Sequence, residues 1–453
     1  MKRVLSVLLS LLMLLSLAAC AAPAAAVPAE EPAAPVQEPA APVEEPAAPA
    51  PAPVVVPAES TARRDSAEIN AKYLAYRYDI AFDGAEVTGA ALNAALEKLG
   101  VEPVLENTAA AGAEDLLTAA IAAAEMTELY RTYSAEKAAA RLDAYGAPAV
   151  EGDAALYACA LDCGLLTAAE AAALAESEAV TAEDATNLLA LAVELSGKGR
   201  NFLGYSDDPD ITQRIYNAWS NIPRYDNPEL SDLGMQILLK GITSGYTLQY
   251  DAYEAQFLPE LAMRYGQDDI KHAAQLVALL NSEDMVVKLQ LLPKISVYEY
   301  LLEWGPIPEP TPTYEVRPVE DRWFVYTLEY DLQMEFVSRE DMLRFNSIIL
   351  EYAKKNDDNA ETQEGLIYSS WWQPLYTTEL TNDMPVGDDE YQIIAELLIT
   401  NGSGYSLNPG IPATEMDRIV SETSALNENC TCTAFEVWSN AAFYRYLMGT
   451  DYQ

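Results

Sequence analysis

The chain has 453 residues, which is enough for two or three domains of ordinary size. Its 70 acidic residues far outnumber its 27 basic residues, and the formal net charge is −43. This charge argues against binding to nucleic acid or to anionic lipid headgroups, because both require a basic surface. An acidic surface can recruit cations or a basic partner, although solubility is the simpler explanation.

The first 19 residues have the layout of an export signal. Lys2 and Arg3 are positively charged, an apolar stretch follows from Val4 to Leu17, and Ala18 and Ala19 are small. The apolar stretch is too short for a lasting membrane span. We therefore expect this segment to direct export and then to be removed.

The leader ends in Leu17-Ala18-Ala19-Cys20, with a cysteine where cleavage should fall. This run resembles the lipobox of bacterial lipoproteins. The resemblance implies cleavage before Cys20, diacylation of Cys20 (palmitate or a similar acyl chain), and a lipid-anchored position on the extracytoplasmic face of a bacterial cell membrane. The lipid would then attach the protein to the membrane.

Residues 20–60 predict an extended tether rather than a domain. The segment is rich in Pro, Ala and Glu, and the order Glu-Pro-Ala-Ala-Pro recurs three times between Glu31 and Pro49. Frequent proline blocks helix formation, and the repeat offers little apolar surface for packing. At about 3.1 Å per residue such a tether reaches on the order of 100 Å.

Residues 66–196 predict an all-α region. Alanine-rich stretches favour helix, and glycines stand where helices should stop. Two segments share a Val-Thr start followed by an amphipathic helix, at Val87-Thr88 and at Val180-Thr181, with Thr in the N-cap position. The sequence therefore indicates a helical bundle with an internal repeat.

A helix that ends in Gly-Leu, a short loop and a Val-Thr helix start together resemble the S-layer homology module of Gram-positive envelopes. That resemblance covers roughly residues 78–195 and implies binding to secondary cell-wall polysaccharide. The family motif Thr-Arg-Ala-Glu supplies ligand-binding residues, whereas this chain has Thr88-Gly89-Ala90-Ala91 and Thr181-Ala182-Glu183-Asp184. The arginine is absent from both, which leaves glycan binding by this region open.

Residues 203–304 predict a mostly helical region with more aromatic residues. The helix-like stretch Asp268 to Leu280, followed by the strand-like stretch Met285 to Leu292, is similar to the helix and strand at the centre of transglutaminase-like cysteine peptidases. No cysteine lies near it, and His272 is the only histidine of the chain. The resemblance therefore implies a non-catalytic relative, with no catalytic residue assigned.

The four remaining cysteines do not predict a metal site or a cofactor. Cys159 and Cys163 are four residues apart on a predicted helix, and Cys430 and Cys432 alternate across a predicted strand. These spacings match neither a zinc motif nor a favourable local disulfide. We expect free thiols, with an occasional disulfide as the alternative.

The proline-rich segment 305–313 predicts a linker, and residues 314–453 predict an α+β domain. Within that domain the sequence favours a strand from Arg322 to Phe336 and helices at Asp341 to Lys354 and Asp389 to Ile399. The predicted fold class is thus multidomain, with an all-α N-terminal region that is similar to an S-layer homology bundle, followed by a C-terminal α+β domain.

An aromatic cluster in the C-terminal domain is the candidate binding site. It comprises Tyr368, Trp371, Trp372 and Tyr376. Aromatic faces stack on sugar rings and on proline-rich peptides. Adjacent strand residues point to opposite faces, so burial of at least one tryptophan in the core is the alternative.

The sequence as a whole favours a non-catalytic cell-envelope lipoprotein that binds or contacts cell-wall glycan, peptidoglycan or another surface component. The alternative is an envelope hydrolase that acts on peptidoglycan or polysaccharide through a pair of carboxylates. Carboxylate pairs of that kind cannot be recognised from sequence spacing. Neither hypothesis involves nucleic acid.

Overall fold

The computed structural model describes residues 65–450, except residues 85, 151, 223–224, 353–374 and 378–390. The predicted leader, Cys20 and the tether therefore lie outside the described residues.

The N-terminal part is helical, as predicted. Its helices are α1 (Ala67–Tyr78), α2 (Gly89–Lys98), α3 (Ala113–Ala123), α4 (Thr127–Tyr130), α5 (Ala135–Tyr145), α6 (Ala154–Asp162), α7 (Ala168–Glu176) and α8 (Ala182–Leu195). Leucines of α2, α3 and α8 form the centre of one apolar core, to which small alanines of α3 also contribute. Alanine suits these positions because it favours helix and permits close packing.

The C-terminal part is organised by an antiparallel sheet. Its strands are β1 (Gly204–Tyr205), β2 (Gly245–Tyr250), β3 (Ala262–Gln267), β4 (Val287–Glu299), β5 (Tyr314–Val319), β6 (Arg322–Phe336), β7 (Leu375–Thr377), β8 (Tyr391–Thr400), β9 (Tyr405–Leu407), β10 (Gly410–Pro412) and β11 (Thr431–Asn440). The described strands all belong to one sheet.

This sheet closes on itself. The strand order runs β4, β2, β9, β8, β11, β7, β3 and β6, and the long pairing of β6 with β4 returns to the first strand. Within the described part of the chain, β1, β5 and β10 pair on its margins. The closed arrangement has an outer face and an inner face, and we call the space bounded by the inner face the sheet interior.

Helices cover the outer face. They are α9 (Ile211–Ser220), α10 (Pro228–Leu239), α11 (Ile270–Ser282), α12 (Arg339–Tyr352), α13 (Met416–Ser424) and α14 (Ala441–Leu447). Residues of α9, α11 and α12 pack against apolar side chains of β3, β4 and β6, and α10 and α13 pack against those of β2, β8 and β9. The helix α14 is the exception, as described below.

The structure corrects the predicted character of residues 203–304. This segment contains β1 to β4 besides its helices, and these strands share one sheet with the strands of residues 314–453. The proline-rich segment 305–313 therefore connects β4 with β5 and does not separate two domains. Proline density ends a strand in both situations, so composition alone does not distinguish them.

The predicted helix from Asp389 to Ile399 is also wrong, because residues Tyr391–Thr400 form β8. The apolar pairs Ile393-Ile394 and Leu397-Leu398 recur at a helix-like spacing. A strand covered on both faces carries apolar residues in succession as well. The strand Arg322–Phe336 and the helix near residues 341–354 are confirmed.

Candidate functional site

Much of the sheet interior, above all along β4 and β6, is lined by polar side chains, whereas the outer face is apolar. Directly paired residues of antiparallel strands have their side chains on the same face of the sheet. The register from strand to strand therefore shows which residues have side chains on the inner face. The polar residues of the inner face include Lys288, Gln290, Lys294 and Ser296 of β4, Thr327, Glu329, Asp331, Gln333 and Glu335 of β6, Arg264 of β3, Thr247 and Gln249 of β2, Ser406 of β9, Gln392, Glu396 and Thr400 of β8 and Ser439 of β11.

Two diagonal contacts cross the β4–β6 pair inside the sheet. Lys294 Nζ donates to Asp331 Oδ1 at 2.7 Å, and Ser296 Oγ donates to Glu329 Oε2 at 2.6 Å. Burial alone would lower the pKa of Lys294, but Asp331 and Glu329 beside it raise that pKa above its ordinary value. Lys294 therefore remains a buried cation that Asp331 neutralises.

A second ion pair stands on the β3 side of the interior. Arg264 Nη2 lies 2.8 Å from Glu254 Oε1, and Glu254 follows β2 in the chain. Arg264 is opposite Gln333 of β6 and opposite Tyr376 of β7 in the register. The pair holds the segment after β2 against the inner face.

Three polar side chains of the inner face make no side-chain hydrogen bond to another described residue, although their residues are largely buried. They are Gln249, Thr327 and Glu396, and each is at most 9% exposed. Gln249 is opposite Lys294 in the register, and Thr327 is opposite Ser296. These side chains are therefore free to hydrogen-bond to a molecule inside the sheet.

Glu396 is the most strongly perturbed of these groups. Burial raises the pKa of its carboxyl to about 7, against the opposing effect of Arg264. Burial likewise raises the pKa of Glu329, while Lys294 beside it acts in the opposite direction. Perturbed carboxyl groups that face one interior are typical of binding and catalytic sites.

The interior is covered on one side by a helix. The helix α14 packs against Ile394 and Val437, which share the inner face with Glu396. Glu329, by contrast, is only half-buried, although strands surround it.

A different feature stands in the helical part, where three helices begin side by side. Val87 N–H donates to Val180 O, Ala111 N–H donates to Val87 O, and Val180 N–H donates to Ala111 O, at 3.0, 2.9 and 3.3 Å. Each residue immediately precedes the N-cap of α2, α3 or α8. We call this closed set of three hydrogen bonds the helix-start ring. The start of α3 is a third copy that the sequence comparison missed, because Gly112 replaces Thr there.

The first residues of these three helices are Gly89, Ala113 and Ala182. A Cβ on Gly89 would lie 1.9 Å from the backbone oxygen of Asn107, so no side chain fits there. The N-cap groups serve their own helices, since Thr181 Oγ1 accepts from Asp184 N–H at 3.1 Å. The ring thus joins three helices but presents no arginine.

The residues predicted as binding or lipidation sites lie mainly outside the described residues. This applies to Cys20, Tyr368, Trp371 and Trp372. Tyr376 lies in β7, and its backbone pairs with Arg264 and Ser439. The aromatic-platform hypothesis therefore stays a prediction. The polar residues of β4 and β6 were the missed signal, because regular polar alternation in long strands marks a second, non-apolar face.

The histidine and the four described cysteines that the sequence analysis considered lie outside the sheet interior's polar face. His272 is buried, its Nδ1 lies 3.0 Å from Gln275 Oε1, and burial lowers its pKa. Cys159, Cys163, Cys430 and Cys432 are free thiols. Among the described residues, no group of three or more His, Cys, Asp or Glu side chains is arranged to hold a metal ion. No helix of the described ranges is long and apolar enough to cross a membrane.

Comparison of the chain with family models, curated proteins and solved structures finds no match.

Proposed function

We propose that the chain is a lipid-anchored, non-catalytic binding protein of the bacterial cell envelope, and that the sheet interior is its binding site. The observation that carries this proposal is the set of three largely buried polar side chains on one inner face, Gln249, Thr327 and Glu396, whose polar groups make no side-chain hydrogen bond within the described residues. A ligand inside the sheet can hydrogen-bond to them. The predicted lipobox and tether supply the envelope location.

Binding explains the arrangement with fewer requirements than hydrolysis does. A hydrolase of the predicted kind needs one protonated and one ionised carboxyl on opposite sides of the scissile bond. Glu396 has the raised pKa of a proton donor. Glu329 is the other candidate, but it accepts a hydrogen bond from Ser296 and stands opposite Lys294. Hydrolysis through Glu396 and Glu329 is therefore the alternative function.

One experiment separates these possibilities. The full-length lipidated protein in detergent is incubated with a muramidase digest of cell-wall sacculi, and bound and free molecules are analysed by mass spectrometry. We expect the protein to retain some of the fragments with their masses unchanged. Altered masses would support the hydrolase, and the absence of any retained fragment would contradict a wall-fragment binding site.

Two matched variants test whether the wall fragments are retained in the sheet interior. Glu396→Gln removes the inner-face carboxyl, whereas Glu436→Gln removes an exposed carboxyl from the neighbouring strand β11. Loss of retention in Glu396→Gln but not in Glu436→Gln would assign binding to the sheet interior. Equal retention by the two variants would place the binding elsewhere on the protein.

The helical part is a second candidate for wall contact. The helix-start ring relates α2, α3 and α8 to one another, which favours the repeat relationship that the sequence suggests. Co-sedimentation with sacculi tests this, before and after secondary polysaccharide is stripped. Retention that is lost on stripping would support an S-layer-type contact, and retention that is absent from the start would contradict it.

A further inference from the structure

We propose that the sheet interior selects a small organic cation, a molecule with a primary ammonium group beside hydrogen-bonding groups. This inference rests on the proposed function, because it names the ligand class of the same site. It is carried by the distribution of charge over the inner face and by the chemistry of the side chains Gln249, Thr327 and Glu396.

The inner face has more carboxylates than it has cations to neutralise them. Lys294 is paired with Asp331 at 2.7 Å, and Arg264 is paired with Glu254 at 2.8 Å. Lys288 is paired with Glu335 at 2.8 Å. Glu329 and Glu396 remain. Glu329 has a neutral hydroxyl donor, Ser296, and Glu396 has no hydrogen-bond donor among the described residues. A cationic ligand supplies the charge that these two carboxyls lack.

The uncharged partners favour an ammonium group in particular. A primary ammonium carries three N–H donors and no acceptor. The inner face presents the Glu396 carboxyl, the Gln249 amide oxygen and the Thr327 hydroxyl as acceptors, in residues that are at most 9% exposed and make no side-chain hydrogen bond to another described residue. Charge-assisted hydrogen bonds to such groups are stronger than neutral ones, and their orientation gives selectivity.

Binding of a cation should depend on pH through Glu396. The charged groups that act on its carboxyl are Arg264 of β3, Asp331 of β6, Lys294 of β4 and Glu254 after β2. Arg264 and Lys294 oppose protonation of Glu396, whereas Asp331 and Glu254 favour it. The carboxyl is mostly ionised above pH 7 and mostly protonated below it, so a cation binds more tightly at pH 8 than at pH 6.

Calorimetric titration of the full-length protein in detergent tests this inference with three probes of equal length. They are 1,5-diaminopentane, 1,5-pentanediol and glutarate, which are cationic, neutral and anionic. We expect the diamine to bind at least about tenfold more tightly than either of the others at pH 8, and to weaken by about tenfold at pH 6. Glu396→Gln should weaken diamine binding at least tenfold at pH 8 and remove the pH dependence, whereas Glu436→Gln should change neither.

Several results would overturn the inference. These are equal affinity for diamine and diol, preference for glutarate, or diamine binding that Glu396→Gln leaves unchanged. If Glu396→Gln does not fold, the probe comparison and the pH profile of the natural chain decide the question. Retention of wall fragments without diamine binding would refute the cationic ligand class while leaving the proposed function intact; failure of both would refute both.

Discussion

Lys294 stands opposite Glu329 in the register of β4 and β6, yet its ammonium contacts Asp331 at 2.7 Å, one diagonal away. Ser296 makes the same diagonal step and donates to Glu329 at 2.6 Å. Diagonal neighbours of an antiparallel pair are within reach of long side chains. These two contacts satisfy Asp331 and occupy Glu329, and no side chain of the described residues satisfies Glu396 in the same way.

The Lys294–Asp331 pair predicts a large stability effect. Lys294→Met should lower the free energy of unfolding by about 3 to 5 kcal/mol, because it leaves the carboxylate of Asp331, which is 0% exposed, buried without its cation. Urea denaturation measures the change.

The matched control for that change is Lys271→Met. Lys271 lies 2.7 Å from Asp269, but both side chains are exposed. An exposed pair contributes less than about 1 kcal/mol, so this variant should remain close to the natural chain. Equal losses in the two lysine variants would contradict a dry, low-dielectric environment around Asp331.

We expect Glu396 to make the free energy of unfolding depend on pH, with lower stability at higher pH. Its folded-state pKa of about 7 is above its ordinary value of 4.5, so the folded state binds the proton more tightly than the unfolded chain does. Stability due to this group is therefore greatest below pH 4.5 and falls as the pH rises to 7, by about 3 kcal/mol in total. Glu396→Gln should be more stable than the natural chain at pH 8 and equal to it near pH 4.

Thermal unfolding of both proteins across this pH range measures the effect, with Glu436→Gln as the control that should follow the natural chain. A stability difference between Glu396→Gln and the natural chain that does not vary with pH would show that the Glu396 carboxyl titrates normally.

Arg200 belongs to a buried ionic cluster that joins the helical part to the sheet. Its Nε lies 2.8 Å from Glu335, its Nη1 lies 3.3 Å from Asp65, and its guanidinium lies 3.8 Å from the centre of the Tyr73 ring. Arg200→Met should cost about 2 to 3 kcal/mol, because it removes charge-assisted hydrogen bonds to buried Glu335, although Lys288 still lies 2.8 Å from that carboxylate. Arg418→Met is the control, because Arg418 pairs with Glu415 and Glu422 at the surface and its loss should cost about 1 kcal/mol or less.

Urea denaturation of the two arginine variants, followed by fluorescence and circular dichroism, measures these losses. A cost for Arg200→Met as small as that of the surface variant would show that the cluster contributes little to the joint between the two parts.

We expect an arginine substitution at the helix-start ring to increase binding to cell-wall sacculi. Ala182→Arg places an arginine at the position where the S-layer homology motif has one, and the half-buried Ala182 leaves room for it. If the helical part has that fold, retention on sacculi carrying acidic polysaccharide should increase severalfold. Ala168→Arg is the control, because Ala168 also follows an N-cap threonine, Thr167, that lies outside the ring. Equal retention by the two arginine variants would indicate non-specific attraction to charge.

The elements of the fold were predictable wherever one periodicity dominates. The strand Arg322–Phe336 alternates strictly enough to be located at both ends, and the Val-Thr starts located α2 and α8. The prediction of a helix at β8 failed because a strand packed on both faces has lost its alternation. The sequence of one strand does not show which elements cover its second face.

The candidate site could not be predicted for a related reason. Lys294, Asp331 and Glu396 are separated by 37 residues or more in the chain, and only closure of the sheet brings them to one face. Alternating polar residues on a strand ordinarily indicate the solvent side. In this chain the polar side is the enclosed one and the apolar side faces helices, a reversal that depends on the pairing of β6 with β4.

The most direct test of the account is a crystal structure of the protein grown with 1,5-diaminopentane at pH 8. We predict an ammonium nitrogen inside the closed sheet, at about 3 Å from the Glu396 carboxyl, with Gln249 or Thr327 as a further acceptor. A sheet interior filled by the chain's own side chains, or diamine bound only at the protein surface, would contradict the central claim that this interior is a binding site.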